Sequence, residues 1–220
     1  MVSKSSVSTR SFRVFATALI ASLALAGLVA ASASALSMSG PIQKFTISGG
    51  AGVWSEAGGS KVECTGSGSA GEWTSSTTGR ATLRLTGCGS SGFKCTSEGQ
   101  TAGTIVTSTL DFKLIWLDAA HTKFGLLFSP ATGWSFAKFA CGGIWIKEWQ
   151  GSLIGQITYP GLEVSASNHT LSFVSIANGV QQYQQIEGSG PLYRLTRGGE
   201  TVALNLTQSL IHAENSKYIP

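Results

Sequence analysis

Charged residues are scarce in this sequence: Asp, Glu, Lys and Arg make up only 12% of its 220 residues, about half the usual share. Long surface helices normally carry Glu and Lys, so this scarcity argues against a helical protein. The aspartates, Asp111 and Asp118, lie at opposite ends of one predicted strand, roughly 23 Å apart at the rise of a β-strand. They therefore do not form the pair of carboxylates that a glycosidase needs.

Sequence motifs that mark common enzymes are also absent. The chain has no G-x-S-x-G elbow, no H-E-x-x-H zinc motif, no P-loop and no dinucleotide fingerprint. Its three histidines, His121, His169 and His212, are far apart in sequence, and turn positions are expected for the first two. We predict no catalytic residue, no cofactor and no metal site. An extracellular hydrolase whose residues meet only in the fold is the alternative.

The first 35 residues have the pattern of a secretion signal. Basic residues as far as Arg13 precede an apolar run at 14–31, and Ala33-Ser34-Ala35 offers a small-x-small cleavage site. We predict cleavage near Ala35 and one secreted domain over residues 36–220, with no membrane contact after cleavage. The alternative is a retained membrane anchor, since 14–31 is just long enough to span a bilayer.

Removing this signal also removes most of the net charge. The whole chain has 15 Lys and Arg residues against 11 Asp and Glu residues, a net charge of +4. Without Lys4, Arg10 and Arg13 the balance is 12 to 11, close to +1. No basic cluster remains to bind phosphate backbones, so nucleic acid is not an expected partner.

Four cysteines follow the signal, at Cys64, Cys88, Cys95 and Cys141. In an exported chain they predict two disulfides. We favour Cys64–Cys88 with Cys95–Cys141, because each bond then joins neighbouring strands; Cys88–Cys95 with Cys64–Cys141 is the main alternative. A metal site is disfavoured because there is no C-x-x-C pair and no histidine nearby.

Apolar and polar residues alternate in several segments after the signal, which is typical of half-buried strands. Leu83 and Leu85 follow this period, and the segments 112–117 and 124–128 follow it on either side of a short polar break. Glycine-rich turns separate such segments, and Asn178-Gly179 is the strongest hairpin signal. The sequence predicts an all-β protein, an antiparallel sandwich or barrel of about ten or more short strands.

Glycines and cysteines between residues 87 and 143 carry a family resemblance. The segment GCGSSGFKCTSEGQ at 87–100 is followed by GTIVT at 103–107 and FACGG at 139–143. Over about residues 45–160 the chain resembles a group of uncharacterised exported proteins from actinobacterial-type genomes. The resemblance implies a bacterial exported protein with a disulfide framework, and it implies no activity.

Aromatic residues supply the candidate binding surface. Six tryptophans occur, and strand alternation places Trp145, Lys147 and Trp149 on one face, where indoles could stack on sugar rings if exposed. Tyr183, in a predicted polar strand at 181–185, is a further candidate, and burial in the core is the competing interpretation. We predict a non-catalytic binding or envelope-associated structural protein whose partner is a carbohydrate or an extracellular protein. A protease inhibitor presenting the loop Gly89–Lys94 is another alternative.

Overall fold

The computed structural model describes residues 36–158 and 166–219, and the predicted signal lies outside the described residues. Every regular element in these two segments is a β-strand and every strand pairing is antiparallel. The all-β prediction is therefore confirmed. The strands are β1 Ser37–Ser39, β2 Lys44–Glu56, β3 Lys61–Cys64, β4 Gly66–Trp73, β5 Thr78–Thr86, β6 Gly89–Ser90, β7 Phe93–Thr96, β8 Ile105–Val106, β9 Leu110–Trp116, β10 Phe124–Pro130, β11 Ser135–Cys141, β12 Trp145–Gly151, β13 Leu153–Thr158, β14 Ala166–Phe173, β15 Ser175–Ala177, β16 Val180–Gln181, β17 Leu195–Arg197 and β18 Glu200–Ile219.

The alternating segments form strands with one buried face. In β5, Leu83 and Leu85 are buried while Arg84 and Thr86 are exposed. Strands β9 and β10 form the expected hairpin, with Trp116 opposite Phe124. Asn178-Gly179 turns the small β15–β16 hairpin, and Gly179 has the positive φ of 70° that such a turn requires.

Two long strands, β2 and β18, pair with each other and close the sheet into two rings. One ring runs through β2, β4, β5, β9, β10, β13, β14 and β18. The other runs through β2, β3, β6, β7, β11, β12, β17 and β18. Because β2 pairs with β4 through Lys44–Gly49 and with β3 through Gly52–Ser55, it passes from the first ring into the second. Each ring is barrel-like.

Aromatic side chains fill both rings. In the first ring, Phe45, Trp73, Phe112 and Phe128 make successive ring contacts. In the second ring, Trp149 lies between Trp54 and Phe139, with centroid distances of 4.4 and 4.6 Å. Both sets belong to one continuous hydrophobic core. Burial of these large rings supplies much of the hydrophobic stabilisation.

Two disulfides join strands of the second ring. Cys64 is bonded to Cys88, and Cys95 is bonded to Cys141, which is its direct neighbour across the β7–β11 pair. The predicted pairing is confirmed. Both bonds flank the β6–β7 hairpin, so the base of this hairpin is covalently fixed on two sides.

Candidate functional site

The predicted binding platform is not formed as an exposed face. Trp145, Lys147 and Trp149 do share one side of β12, but that side is the inner face of the second ring. Lys147 and Trp149 are buried there, and only Trp145, near the rim, is half-exposed. The prediction for Lys147 and Trp149 is therefore wrong, because the core needs the indole of Trp149 against Trp54.

Tyr183 is separated from this strand and packs elsewhere. Residues 182–185 do not form the predicted polar strand. The Tyr183 ring packs over a small cluster on the outer face of β9 and β13, which includes Ile115 and Ile154. Its hydroxyl donates a hydrogen bond to Gln156 Oε1 at 3.3 Å. The tyrosine thus covers apolar surface that the ring leaves outside, and it is a structural residue.

The braced β6–β7 hairpin brings a different residue next to Trp145. Ser91 and Gly92 form its turn with φ values of 50° and 82°, the left-handed conformation that glycine tolerates best. Phe93 follows the turn at the start of β7. Its ring lies against the indole of Trp145, edge to face, with centroids 4.9 Å apart and planes at 85°.

Exposed apolar side chains surround this aromatic contact. Phe93 and Trp145 are 46% and 50% exposed, and Ile144 and Ile146 are 75% and 63% exposed. We name these four residues the aromatic edge. Single apolar residues are common on protein surfaces, but four exposed ones at one end of the β6–β7 hairpin and β12 make this region a candidate interaction surface. Phe93 was predicted only as part of the loop Gly89–Lys94, although its position two residues before Cys95 was a usable signal, and neither Ile144 nor Ile146 was predicted as a binding residue.

A groove of about 510 Å³ lies beside the hairpin. Its lining includes the polar residues Glu63, Thr65, Ser90 and Lys94 together with Val53 and Phe93. Hydroxyl and carboxylate groups next to an aromatic ring suit a polar ligand such as a sugar.

A buried ion cluster fixes the inner side of β12. Lys147 Nζ donates to Glu56 Oε1 at 2.7 Å and to Ser60 Oγ at 2.9 Å, and Arg197 donates to Glu56 Oε2 at 2.9 Å. Burial by itself would raise the pKa of the Glu56 carboxyl, but the hydrogen bond from Lys147 and the two positive charges hold that pKa below its ordinary value. The Glu56 carboxylate and the Lys147 ammonium thus form a buried ion pair inside the ring.

Two of the histidines meet in the core of the first ring. Trp73 Nε1 donates to His212 Nε2 at 3.0 Å, and His212 Nδ1 lies 3.0 Å from Ser216 Oγ. The same hydroxyl lies 3.3 Å from His169 Nε2. His169 is in β14 and not in a turn, which corrects the prediction for this residue. A serine beside a histidine resembles a nucleophile with its base, yet Ser216 and both imidazoles are buried from any substrate.

Burial, with a smaller contribution from the nearby charge of His169, lowers the pKa of His212 to about 4. An unfolded chain protonates this imidazole near its ordinary pKa of 6.5. We therefore expect the free energy of unfolding to decrease as the pH falls from about 6.5 to 4, by about 3 kcal/mol in total. Denaturant unfolding measured across this pH range checks the expectation.

Two variants sharpen this pH prediction. His212→Gln should remove most of the acid-dependent loss of unfolding free energy. This holds even if the substitution lowers stability at neutral pH. His121→Gln changes an imidazole on an exposed turn and should leave the pH dependence as in the unmodified chain. An equal acid-dependent loss in His212→Gln and in the unmodified chain would contradict the assignment.

The remaining histidine meets a carboxylate at the surface. His121 stacks on Trp116 with parallel rings 4.8 Å apart, and its Nε2 lies 3.2 Å from Glu187 Oε1. Both His121 and Glu187 have positive φ values, of 55° and 52°. Of the described hydroxyl groups, none is hydrogen-bonded to this imidazole, so the pair lacks an adjacent nucleophile.

The two aspartates have local structural roles. Asp111 accepts a hydrogen bond from Arg80 Nε at 2.8 Å on the surface of β5 and β9. Asp118 accepts bonds from the backbone of Thr122 and Lys123 and from the Thr122 hydroxyl, which fixes the β9–β10 turn. These contacts lower the pKa of Asp118, the hydroxyl contact most strongly.

Across residues 36–158 and 166–219, no group of three His, Cys, Asp or Glu residues is placed to hold a metal ion. No helix in these segments has the length and apolar character needed to cross a membrane. The disulfides are compatible with an extracellular location.

No protein-family model, curated protein or solved structure matches this chain. The aromatic edge and the neighbouring groove therefore have to be interpreted from their own chemistry.

Proposed function

We propose that this chain is an exported, non-catalytic binding protein and that the aromatic edge is its binding surface. The observation that carries the proposal is the half-exposed pair Phe93–Trp145, held edge to face beside a hairpin fixed by two disulfides. Rigid aromatic side chains lose little conformational entropy on binding, so they are efficient anchors for a partner.

Export is supported by the signal-like pattern at 1–35 together with the disulfides, which form in oxidising compartments. We further propose a bacterial source, on the resemblance to exported actinobacterial-type proteins. In such a setting the partner is an extracellular or envelope component. If the bound partner is itself part of the cell surface, this binding function becomes an envelope-associated structural role.

The geometry of the aromatic edge favours a protein partner over a carbohydrate. Sugars stack on flat aromatic faces, whereas the Phe93 and Trp145 rings stand at 85° to each other and present no common plane. The aliphatic side chains of Ile144 and Ile146 flank them and offer no hydrogen bonds. Apolar anchors of this kind are typical of the centre of protein–protein interfaces.

The alternative functions have weaker support. A hydrolase would need a nucleophile beside His121 and Glu187, and the described hydroxyl groups provide none. An inhibitor would present 89–94 as an extended loop, but Gly89 pairs with Lys94 and Ser90 with Phe93 within the hairpin. This internal pairing uses the backbone that a protease cleft would bind.

Photo-crosslinking in the secreting organism tests the proposal. A photoreactive phenylalanine derivative at position 145 should give covalent adducts with an envelope or extracellular protein. The matched control places the same group at Trp134, a tryptophan that is 82% exposed on another turn. We expect adducts from position 145 and few from position 134, because exposure alone does not create a binding surface.

Alanine variants then measure the contribution of each ring. For the captured partner, Phe93→Ala with Trp145→Ala should weaken binding by roughly tenfold or more, since interface aromatics commonly contribute above 1 kcal/mol each. Trp134→Ala should leave the affinity unchanged. Equal crosslinking at 145 and 134, or binding of a glycan array that depends on the groove residues Glu63 and Lys94, would overturn the proposal.

A further inference from the structure

Strand β12 has a free edge next to the aromatic edge. It pairs with β11 from Trp145 to Gln150, but it pairs with β17 only through Gln150 and Gly151. Within the described segments, the side of β12 opposite β11 has no strand partner from Trp145 to Glu148. Unpaired backbone donors and acceptors on such an edge are a template for another extended strand.

The free segment contains two charged residues, Lys147 and Glu148. The Lys147 ammonium points into the ring and is paired with Glu56, so only the half-exposed Glu148 offers a charge to an approaching strand. Ile146 points to the outer side and is exposed. Apolar side chains and free backbone groups thus occur together, which is the combination that strand addition requires.

We propose, building on the function proposed above, that the partner at this surface is a second copy of the chain, joined by antiparallel pairing of β12 with β12 around a two-fold axis at Ile146. The free segment of β12 runs from Trp145 to Glu148, and Ile146 is its most exposed residue. Antiparallel pairing of one segment with itself is isologous and closes as a dimer without open ends.

Charge placement in this arrangement is compatible with pairing. With Ile146 opposite Ile146 of the other copy, Trp145 faces Lys147 and Ile144 faces Glu148. Like charges directly opposite each other would oppose the pairing, and this register places no two like charges opposite each other. Trp145 of each copy also lies within this register, whereas Phe93 lies beyond β11, on the side away from the free edge.

The area is sufficient for a weak dimer. From the usual buried areas of such side chains, Ile144, Trp145 and Ile146 expose roughly 300–400 Å² of apolar surface per copy. Two copies and their backbone edges then bury about 800–1,000 Å², in the range of weak and transient interfaces. We therefore expect a dissociation constant on the order of 1–100 µM, with the dimer forming at high local concentration.

A charge-swap experiment tests the two-fold axis. Ile146→Lys should give a monomer, because two lysines would face each other, and Ile146→Glu should give a monomer for the same reason. Mixing the two variants should restore a dimer that contains one copy of each. The matched control is Ile176→Lys, which charges an isoleucine that is 64% exposed on β15 and should dimerise like the unmodified chain. Sedimentation velocity from 1 to 300 µM gives the mass.

Each result has a definite meaning. Concentration-dependent dimerisation, loss in both single-charge variants and recovery in the mixture support the inference. A monomer at every concentration, or a dimer unaffected by Ile146→Lys, overturns it. Failure of the proposed function can be told apart from failure of the dimer. If the proposed function is wrong, position 145 crosslinks neither to another protein nor to a second copy. A monomeric chain that still crosslinks a different protein at position 145 keeps the proposed function and rejects the dimer.

Discussion

Replacing Glu56 by glutamine is expected to lower the free energy of unfolding by roughly 3–5 kcal/mol, the usual cost of leaving a buried charge without its partner. Glu56 is the only carboxylate bonded to the Lys147 ammonium among the described residues, and both side chains are buried. Arg197 is 41% exposed and can turn to water when the carboxylate is lost. The buried Lys147 ammonium cannot turn to water in this way, so its unpaired charge accounts for most of the lost stability. Denaturant unfolding at neutral pH measures the effect.

A double variant distinguishes the cost of an unpaired buried charge from the cost of lost packing. Glu56→Leu with Lys147→Met removes both charges and keeps side chains of similar size, and replacing a buried ion pair in this way is often neutral or stabilising. We expect it to recover most of the loss seen with Glu56→Gln. Arg80→Gln, which breaks the exposed pair with Asp111, should have a much smaller effect, because exposed ion pairs contribute little to stability. Equal losses from Glu56→Gln and Arg80→Gln would show that the buried cluster is not the cause.

Removing the Cys95–Cys141 bond should cost about 4 kcal/mol. In the chain-entropy description, the cost follows from the 46-residue separation that this bond closes in the unfolded state. The experiment replaces both cysteines by alanine, so that no free thiol remains, and compares unfolding midpoints. The Phe93–Trp145 contact should also loosen, because β7 then depends on few backbone hydrogen bonds for its position against β11.

The other disulfide is the matched comparison. Cys64 and Cys88 are separated by 24 residues, so the same description gives about 3.5 kcal/mol for its removal. Tryptophan fluorescence of Trp145 should change more when the Cys95–Cys141 bond is absent, because Cys141 lies directly opposite Trp145. A loss below about 1 kcal/mol in either variant would contradict the role given to the bonds.

Much of the fold was predictable because it depends on local patterns. The alternation at Leu83 and Leu85 reports directly which side of β5 is buried, and Asn178-Gly179 specifies a hairpin through backbone conformation alone. The disulfide pairing followed from the assumption that neighbouring strands are joined. In each case the physical cause lies within a few residues of the signal.

The binding surface could not be derived in the same way. A period of two shows that Trp145, Lys147 and Trp149 share a side, but it does not show which side faces the core. Ile144 and Ile146 are as apolar as the tryptophans, so hydrophobicity does not decide between the two sides. The decision comes from a distant residue, Glu56, which gives Lys147 a buried partner.

Long-range pairing also explains the error at His169. A histidine between Asn168 and Thr170 reads locally as a turn, since asparagine and threonine are common there. In the fold it faces His212, on the neighbouring strand of the ring. Neither residue carries a local signal that the other will be opposite, and the hydroxyl of Ser216 that links them is equally remote from His169 in sequence.

The pairing of β2 with β18 delays the closure of both rings during synthesis. Phe45 pairs with His212 and Glu56 with Val202, so neither ring closes until residues far along the chain exist. At about 5–20 residues per second, the roughly 150 intervening residues take about 8–30 s to synthesise. Until then both rings stay open along β2, although Phe45 and Trp54 already have Trp73 and Trp149 to pack against. The Cys64–Cys88 bond joins residues made well before β18, so it can form before either ring closes.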